Sequence, residues 1–306
     1  MATLTTDDGV RLYYEETGAG TPIVFVHEFA GDWRSWEPQV RHFARRYRCI
    51  TYSARGYLPS DVPQDSERYS QERCREDLRC VLDALKLPAA HVVGLSMGAF
   101  VTLHFGMRYA RKGVAGRALS LTLAGCGTGA HPAAYAKFQA EARALAASIE
   151  GQGMAHLAAT YGYGPARVQF RDKDPRGFAE AIQQLSEHSA EGSAHTMRGY
   201  QARRPSLYDI VEDIAAIDAP VLVMIGDEDE PCLEPSLLLK RAIPQAALAV
   251  LPRSGHAINL EEPMLFNQLL GDFLYQVDAG RWSPRDPAAA CPSVWGPGGR
   301  PARGEA

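Results

Sequence analysis

The segment AAHVVGLSMGAFVTLHFGMRYA, residues 89–110, decides the fold. AAHVVGL has the apolar composition of a strand covered on both faces, and AFVTLHFGMRYA that of an apolar helix. The motif Gly94-Leu95-Ser96-Met97-Gly98 joins them, so Ser96 is predicted to lie on a turn from strand to helix. There the hydroxyl projects above the carboxyl edge of a parallel sheet, and the helix N-terminus directs N–H groups at any negative charge forming beside it. We predict that Ser96 is a nucleophile; the alternative is a serine that only caps a buried helix.

Strand and helix patterns alternate on both sides of this segment. Strands are predicted at 10–17, 22–27, 47–53, 89–95, 118–125, 219–229 and 247–256, and helices at 36–46, 71–86 and 263–276. Such alternation predicts an α/β fold with a mostly parallel sheet and helices on both faces.

The alternation of predicted strands and helices stops after residue 127. From there to residue 206 no strand is convincing, and helical stretches at 133–149, 154–161 and 177–189, rich in Ala and joined by Gly and Pro, take their place. We therefore expect a first core part at 1–127, an inserted helical cap at 128–206, a second core part at 207–278 and a Pro/Gly/Arg-rich tail at 279–306. The tail is expected to be poorly ordered or to lie on the surface.

Composition narrows the class of protein. The 306 residues are 46% hydrophobic and 22% charged, with a formal net charge of −4, which gives no electrostatic reason to expect a nucleic-acid partner. No secretory signal or membrane-spanning run is visible, so a cytoplasmic protein without a membrane partner is expected. The six cysteines lack metal-ligand spacing, which predicts reduced thiols, no metal and no cofactor. The oligomeric state stays open.

A serine nucleophile needs a base, and nine histidines are available. His256 follows the last predicted strand, on a loop at the carboxyl edge of the sheet. His27 also ends a strand, but in the loop before a different helix, while His91 and His104 lie inside predicted elements. The remaining histidines are His42, on an exposed helix, and His131, His156, His188 and His195, in the insert. His256 is therefore the predicted base.

The base in turn needs a carboxylate that fixes its tautomer. The acidic run Asp227-Glu228-Asp229-Glu230 follows the strand VLVMI and precedes the strand that leads to His256. Asp229 is the predicted orienting acid, with Asp227 and Glu228 as alternatives. The order Ser…Asp…His is the one expected for a strand-turn-helix serine site.

These residues, together with PIVFVH, YSARGYLPSD and SGHAINLEEP, resemble the α/β-hydrolase superfamily over about residues 10–278. GLSMG is most similar to the enol-lactonase and small-carboxylesterase branch. The resemblance implies an oxyanion hole made by the backbone N–H groups of Phe29 and Met97, and a small-molecule ester or lactone as substrate. Alternatives are a cofactor-free perhydrolase or haloperoxidase-like enzyme, a C–C bond hydrolase, and a non-catalytic ligand-binding protein of the same fold.

The sequence departs from the family pattern in His27-Glu28-Phe29-Ala30-Gly31, where glycine usually follows the histidine. A carboxylate at Glu28 cannot face an oxyanion, because like charges would oppose each other. One interpretation is a structural ion pair with Arg34 or Arg55. The other places Glu28 in the pocket, where it contacts substrate or positions a water molecule.

Overall fold

This computed structural model describes residues 2–114 and 116–290. They contain one eight-stranded sheet. The strands are β1 (Ala2–Thr5), β2 (Arg11–Thr17), β3 (Pro22–Val26), β4 (Arg48–Tyr52), β5 (Ala90–Leu95), β6 (Ala118–Ala124), β7 (Val221–Gly226) and β8 (Ala246–Leu251). Their order is β1-β2-β4-β3-β5-β6-β7-β8. β2 is antiparallel to both of its neighbours, and the remaining pairs are parallel. The mostly parallel sheet is confirmed, whereas β1 was not predicted.

Helices connect the strands and cover both faces of the sheet. They are α1 (Glu37–Phe43), α2 (Gln71–Ala84), α3 (Met97–Tyr109), α4 (Pro132–Thr160), α5 (Val168–Lys173), α6 (Pro175–Ser186), α7 (Ala190–His195), α8 (Val211–Ala215), α9 (Glu230–Ala242), α10 (Ile258–Glu261) and α11 (Pro263–Asp278). Shorter 3-10 turns are at Trp33–Trp36, Ser66–Arg68, Tyr161–Tyr163, Pro165–Arg167, Leu207–Asp209 and Pro287–Ala290, and a π-helix is at Thr196–Gln201. None of the described helices is long and apolar enough to cross a bilayer.

The central strand β5 is buried on both faces, as its apolar sequence requires. Val92 joins the core shared with α2 and α3, and Val93 joins the opposite core shared with α11. This alternation follows from the twofold period of a strand. β5 is therefore fixed from both sides up to Leu95, and the residue that follows is Ser96.

The long stretch between β6 and β7 is helical, from α4 to the π-helix. The two helices expected at 133–149 and 154–161 are one element, α4, with a kink at Gly153, whose φ is 78°. Tyr200 of the π-helix reaches the sheet region, where its hydroxyl donates a hydrogen bond of 2.9 Å to the Met97 carbonyl.

The start of the tail lies against the core. The Trp282 ring contacts Phe273 with ring centroids 4.7 Å apart, and its indole N–H donates to the Gln245 carbonyl at 2.8 Å. Residues 291–306, with Cys291 and Trp295, lie outside the described residues, so the expectation for that part stays a prediction. The five cysteines within the described ranges carry free thiols.

Arg55, one of the two arginines expected to bind Glu28, is fully buried and bound elsewhere. Its guanidinium donates to both carboxylate oxygens of Asp77, at 2.7 and 2.6 Å, and to Asp8 at 3.0 Å. The pair joins the loop after β4 to α2. Because the charges of Arg55 and Asp77 are both buried away from water, removing either one would leave the other destabilised.

We expect Asp77→Ala to lower the free energy of unfolding by about 3 kcal/mol or more, since it leaves the buried Arg55 charge short of its bidentate partner. Urea unfolding measures this. The control is Arg41→Ala, which removes an exposed ion pair with Glu37 and should cost less than about 1 kcal/mol. Equal losses in the two variants would contradict the assignment.

Candidate active site

Ser96 occupies a strained turn between β5 and α3. Its φ is 53° and its ψ −114°, a backbone conformation that side-chain-bearing residues rarely adopt. The turn is possible because its neighbours lack side chains: a Cβ at Gly98 would lie 2.1 Å from the Val26 carbonyl oxygen, and one at Gly94 would lie 2.2 Å from the Gly98 carbonyl oxygen. Gly98 therefore allows the close approach of α3 to β3, and Gly94 allows that of β5 to the first turn of α3.

Asp229 and His256 meet beyond the carboxyl ends of β7 and β8. His256 Nδ1 lies 2.6 Å from Asp229 Oδ2, and both side chains are buried. The alternative acids bind elsewhere: Asp227 accepts from the Ser254 N–H, and Glu228 accepts from the Gln169 amide. With the carboxylate at Nδ1, the imidazole holds its proton there and leaves Nε2 as the basic nitrogen.

The end of β6 lies close both to Ser96 and to the Asp229–His256 pair. The Ser96 N–H donates to the Ala124 carbonyl at 2.8 Å. The next residue, Gly125, lies close to the side chains of His256 and Asp229. A Cβ at Gly125 would lie 3.2 Å from His256 Cε1 and 3.5 Å from Asp229 Oδ2. Within the described residues Ser96 Oγ makes no hydrogen bond, and serine–histidine hydrogen bonds commonly tighten only when substrate binds.

The charge of Asp229 governs the protonation of His256. Burial alone would lower the pKa of this imidazole, but the adjacent carboxylate outweighs burial and raises the pKa well above its ordinary value of 6.5. Burial would likewise raise the pKa of Asp229, and His256 lowers it. Between the pKa of Asp229 and that of His256 the two therefore form an ion pair, and His256 becomes a free base only as the pH rises above its own pKa.

The loop after β3 is held by the buried ring of His27. Its Nδ1–H donates to the Glu28 carbonyl at 2.7 Å, and its Nε2 accepts from the Ala54 N–H at 3.0 Å. Burial lowers the pKa of His27 to about 4, so the ring is neutral at neutral pH. Because a trans peptide is planar, the Phe29 N–H points away from the Glu28 carbonyl. Within the described residues neither this N–H nor that of Met97 donates to a protein acceptor.

Glu28 binds Arg167, which the sequence did not predict. Arg167 Nη2 lies 2.6 Å from Glu28 Oε2, and the side chains are 7% and 4% exposed. The expected partners were wrong, because Arg34 and Arg55 bind other carboxylates. Burial would raise the pKa of Glu28, but the Arg167 guanidinium outweighs it and lowers that pKa, so the carboxylate is ionised. The partners are 139 residues apart, and no motif around Arg167 signals the contact.

One group of described side chains has donor atoms close enough to hold a metal ion: Asp229, Cys232 and His256, within 4.8 Å of one another. The hydrogen bond between Asp229 and His256 already accounts for two of these atoms. The Cys232 thiol lies 3.3 Å from Thr128 Oγ1 and 3.5 Å from the Gly125 carbonyl oxygen.

We expect Gly125→Ala to lower kcat by about tenfold, because the new methyl group would lie 3.2 Å from His256 Cε1 and push the imidazole away from its place beside Asp229. The control is Gly9→Ala. Gly125 and Gly9 both have a positive φ, of 55° and 84° respectively, but a Cβ at Gly9 meets no atom within 4 Å. Both variants should lose some thermal stability, and only Gly125→Ala should lose turnover. Full turnover in Gly125→Ala would contradict this placement of His256.

The sequence and the fold both match known proteins. The sequence model of the α/β-hydrolase fold matches residues 21–263. The chain is 30% identical to 3-oxoadipate enol-lactonase 2 of Acinetobacter baylyi, over 87% of this chain and 93% of that one. It is 29% identical to a protein of Synechocystis sp. provisionally named a non-heme chloroperoxidase, over 87% of this chain and 95% of that one. The solved structure of a thermophilic esterase from Thermogutta terrifontis superposes with a TM-score of 0.78 at 26% identity. The match covers 90% of this chain and 98% of that one. The chain belongs to the α/β-hydrolase fold family.

Proposed function

We propose that this chain is a serine hydrolase that cleaves a small carboxylic ester or lactone through an acyl-enzyme on Ser96. The observation that carries the proposal is the 2.6 Å contact between His256 Nδ1 and Asp229 Oδ2, at the same sheet edge as a serine with a φ of 53°. A buried imidazole oriented by a carboxylate is suited to activating a hydroxyl. The names of the similar enol-lactonase and esterase support a substrate of ester or lactone type.

In acylation, Ser96 Oγ attacks the carbonyl carbon of the substrate and its proton passes to His256 Nε2. The electron pair of the C=O π bond moves to oxygen, and the N–H groups of Phe29 and Met97 hold the oxyanion. When the carbonyl re-forms, the C–O bond to the alcohol breaks and His256 gives its proton to the leaving oxygen. Each oxyanion donor is worth about 3 kcal/mol of barrier in such sites.

In deacylation, water attacks the acyl-enzyme and gives a proton to His256. The second oxyanion collapses, the bond to Ser96 Oγ breaks, and His256 returns the proton to that oxygen. The products are a carboxylic acid and an alcohol, which for a lactone are two ends of one molecule. Asp229 stays ionised throughout and stabilises the imidazolium.

We also propose that the helical insert at 128–206 acts as a cap over this site, between the core parts at 1–127 and 207–278. Two contacts support it. Tyr200 donates to the Met97 carbonyl at 2.9 Å, and Arg167 binds Glu28 at 2.6 Å. Both contacts fall on, or next to, the proposed oxyanion donors.

A second candidate is perhydrolysis, which the similarity to the provisionally named chloroperoxidase favours. There hydrogen peroxide would replace water in the attack on the acyl-enzyme and release a peracid, with the same residues in the same roles. Peracetic acid formation from p-nitrophenyl acetate and hydrogen peroxide that outpaces hydrolysis of the same ester would favour this candidate over the first.

Ser96→Ala and His256→Ala should each lower kcat on a p-nitrophenyl ester by at least ~10³-fold, and the double variant should be no worse than either. A fluorophosphonate should label Ser96 in the parent protein. The control is Ser236→Ala, since Ser236 is a buried serine whose hydroxyl has no partner within the described residues. Its activity should be unchanged, as should that of the parent protein after EDTA treatment. Near-normal turnover in Ser96→Ala, or loss with EDTA that zinc restores, would contradict the mechanism.

The pH profile of kcat/KM should rise through a single ionisation whose midpoint lies above 6.5, because Asp229 raises the pKa of His256 and only the neutral imidazole accepts a proton. Activity is lost as the pH falls below that midpoint. Asp229→Asn should lower both the midpoint and kcat. An optimum near pH 4 would rule out His256 as the base.

A further inference from the structure

The carboxylate of Glu261 binds the backbone on both sides of His256. Glu261 is the last residue of α10, and it is 5% exposed. Its Oε2 accepts a hydrogen bond of 2.7 Å from the Gly255 N–H, and its Oε1 accepts one of 2.9 Å from the Ala257 N–H. One buried side chain therefore binds the N–H groups of the residues immediately before and after the proposed base.

These two hydrogen bonds determine where the backbone of His256 lies. The segment before it is tied to the acidic loop after β7, since Ser254 donates to Asp227 Oδ1 at 3.1 Å and accepts from the Glu228 N–H at 2.9 Å. Within the described residues, neither the N–H nor the carbonyl of His256 forms a hydrogen bond with another backbone group. Its position thus depends on its two neighbours, and the N–H groups of both donate to Glu261.

Two N–H donors that converge on one side chain require a carboxylate. An ionised carboxyl group has two acceptor oxygens and no donor, whereas the amide of glutamine has one oxygen and one NH2 group. Glutamine at residue 261 would accept from one N–H and turn its NH2 group toward the other. A buried N–H without an acceptor is unfavourable, so the loop that carries His256 would shift to regain one.

Glu261 also acts on His256 through its charge. Burial raises the pKa of Glu261, while the two backbone N–H groups, Lys173 and His256 oppose that rise. Because the attraction between the carboxylate and the ring is mutual, Glu261 stabilises the charged form of the imidazole. The other ionisable groups around the ring are Asp229 after β7, Cys232 on α9 and Glu28 after β3, the last of which is paired with Arg167.

We propose that Glu261 is a positioning residue for the hydrolase reaction: it fixes the backbone of His256 so that the imidazole stays beside Asp229 with Nε2 available to Ser96. The inference rests on the proposed function, and it requires no contact between Glu261 and the substrate. A displacement of about 1 Å in a catalytic group can cost about 10²-fold in rate. Partial loss of these hydrogen bonds should therefore be visible in kcat.

The adjacent acid, Glu262, provides a matched control. Its side chain is 37% exposed and accepts from Lys173 Nζ at 2.6 Å. Within the described residues, its carboxylate forms no hydrogen bond with Gly255 or Ala257. Glu262→Gln thus removes the same charge one residue further along the chain and leaves the hydrogen bonds around His256 intact.

The test compares Glu261→Gln with Glu262→Gln on p-nitrophenyl acetate. We refer kcat to the fraction of Ser96 that a fluorophosphonate labels at completion, so that misfolded protein does not count. Glu261→Gln should lower this kcat by about tenfold and leave KM within about twofold of the parent value, because His256 serves acylation and deacylation and both steps slow together. The midpoint of kcat/KM against pH should fall by about 0.5 unit, because a negative charge near the imidazole is removed. Glu262→Gln should leave all three quantities unchanged.

A merely structural role for Glu261 predicts another result. It would lower the melting temperature and the labelled fraction, but kcat per labelled site and the midpoint would not change, and that outcome overturns the proposal. An equal fall of kcat or of the midpoint in Glu262→Gln also overturns it.

If Glu261→Gln does not fold, Glu261→Asp takes its place. Aspartate keeps the charge and both oxygens but is one methylene shorter, so kcat per labelled site should fall by about threefold or more while the midpoint stays close to that of the parent protein. Unchanged kcat in Glu261→Asp, or failure of both variants to fold, overturns the proposal.

The failure of the proposed function looks different. If the parent protein does not hydrolyse the ester and Ser96 resists fluorophosphonate, then the hydrolase assignment itself is wrong. If hydrolysis depends on Ser96 but kcat and the midpoint are indifferent to Glu261, then only the positioning inference is wrong.

Discussion

The candidate site depends on one backbone contact, the approach of Gly98 to the Val26 carbonyl. A side chain at residue 98 would come within 2.1 Å of that oxygen, so only glycine lets α3 start so close to the end of β3. The contact brings the first turn of α3 beside the loop that follows β3. The N–H groups of Met97 and Phe29, which belong to different elements, are the two donors of the oxyanion hole that we propose.

The parts of the site that the sequence predicted are those with a local signal. Ser96 lies at a strand-to-helix turn that the pattern of residues 89–110 describes completely, and the parallel sheet follows from alternating elements. The meeting of Asp229 with His256 could be anticipated for a similar reason, because both follow strands that end at one edge of the sheet. Asp229 was chosen from the sequence over Asp227 and Glu228, which lie only one or two residues away, and the structure places Asp229 beside His256.

The parts that the sequence could not predict are contacts between distant segments. Arg167 reaches Glu28 across 139 residues, and a pattern of charges along the chain contains no information about such a pair. The two arginines expected as partners are bound to other carboxylates, Arg34 to Asp32 and Glu187, and Arg55 to Asp77 and Asp8. Gly125 was missed for another reason: its role follows from the space left for His256, which becomes visible only once the strands are assembled.

The backbone of Ser96 has a consequence for how this protein could evolve. A residue with a side chain at a φ of 53° and a ψ of −114° costs about 1–3 kcal/mol relative to a relaxed backbone, and the surrounding structure must supply that amount. Glycine at this position would relieve the strain and remove the hydroxyl. Selection for thermal stability alone would thus favour loss of the proposed nucleophile, so a serine with this backbone is expected only where its hydroxyl has a function.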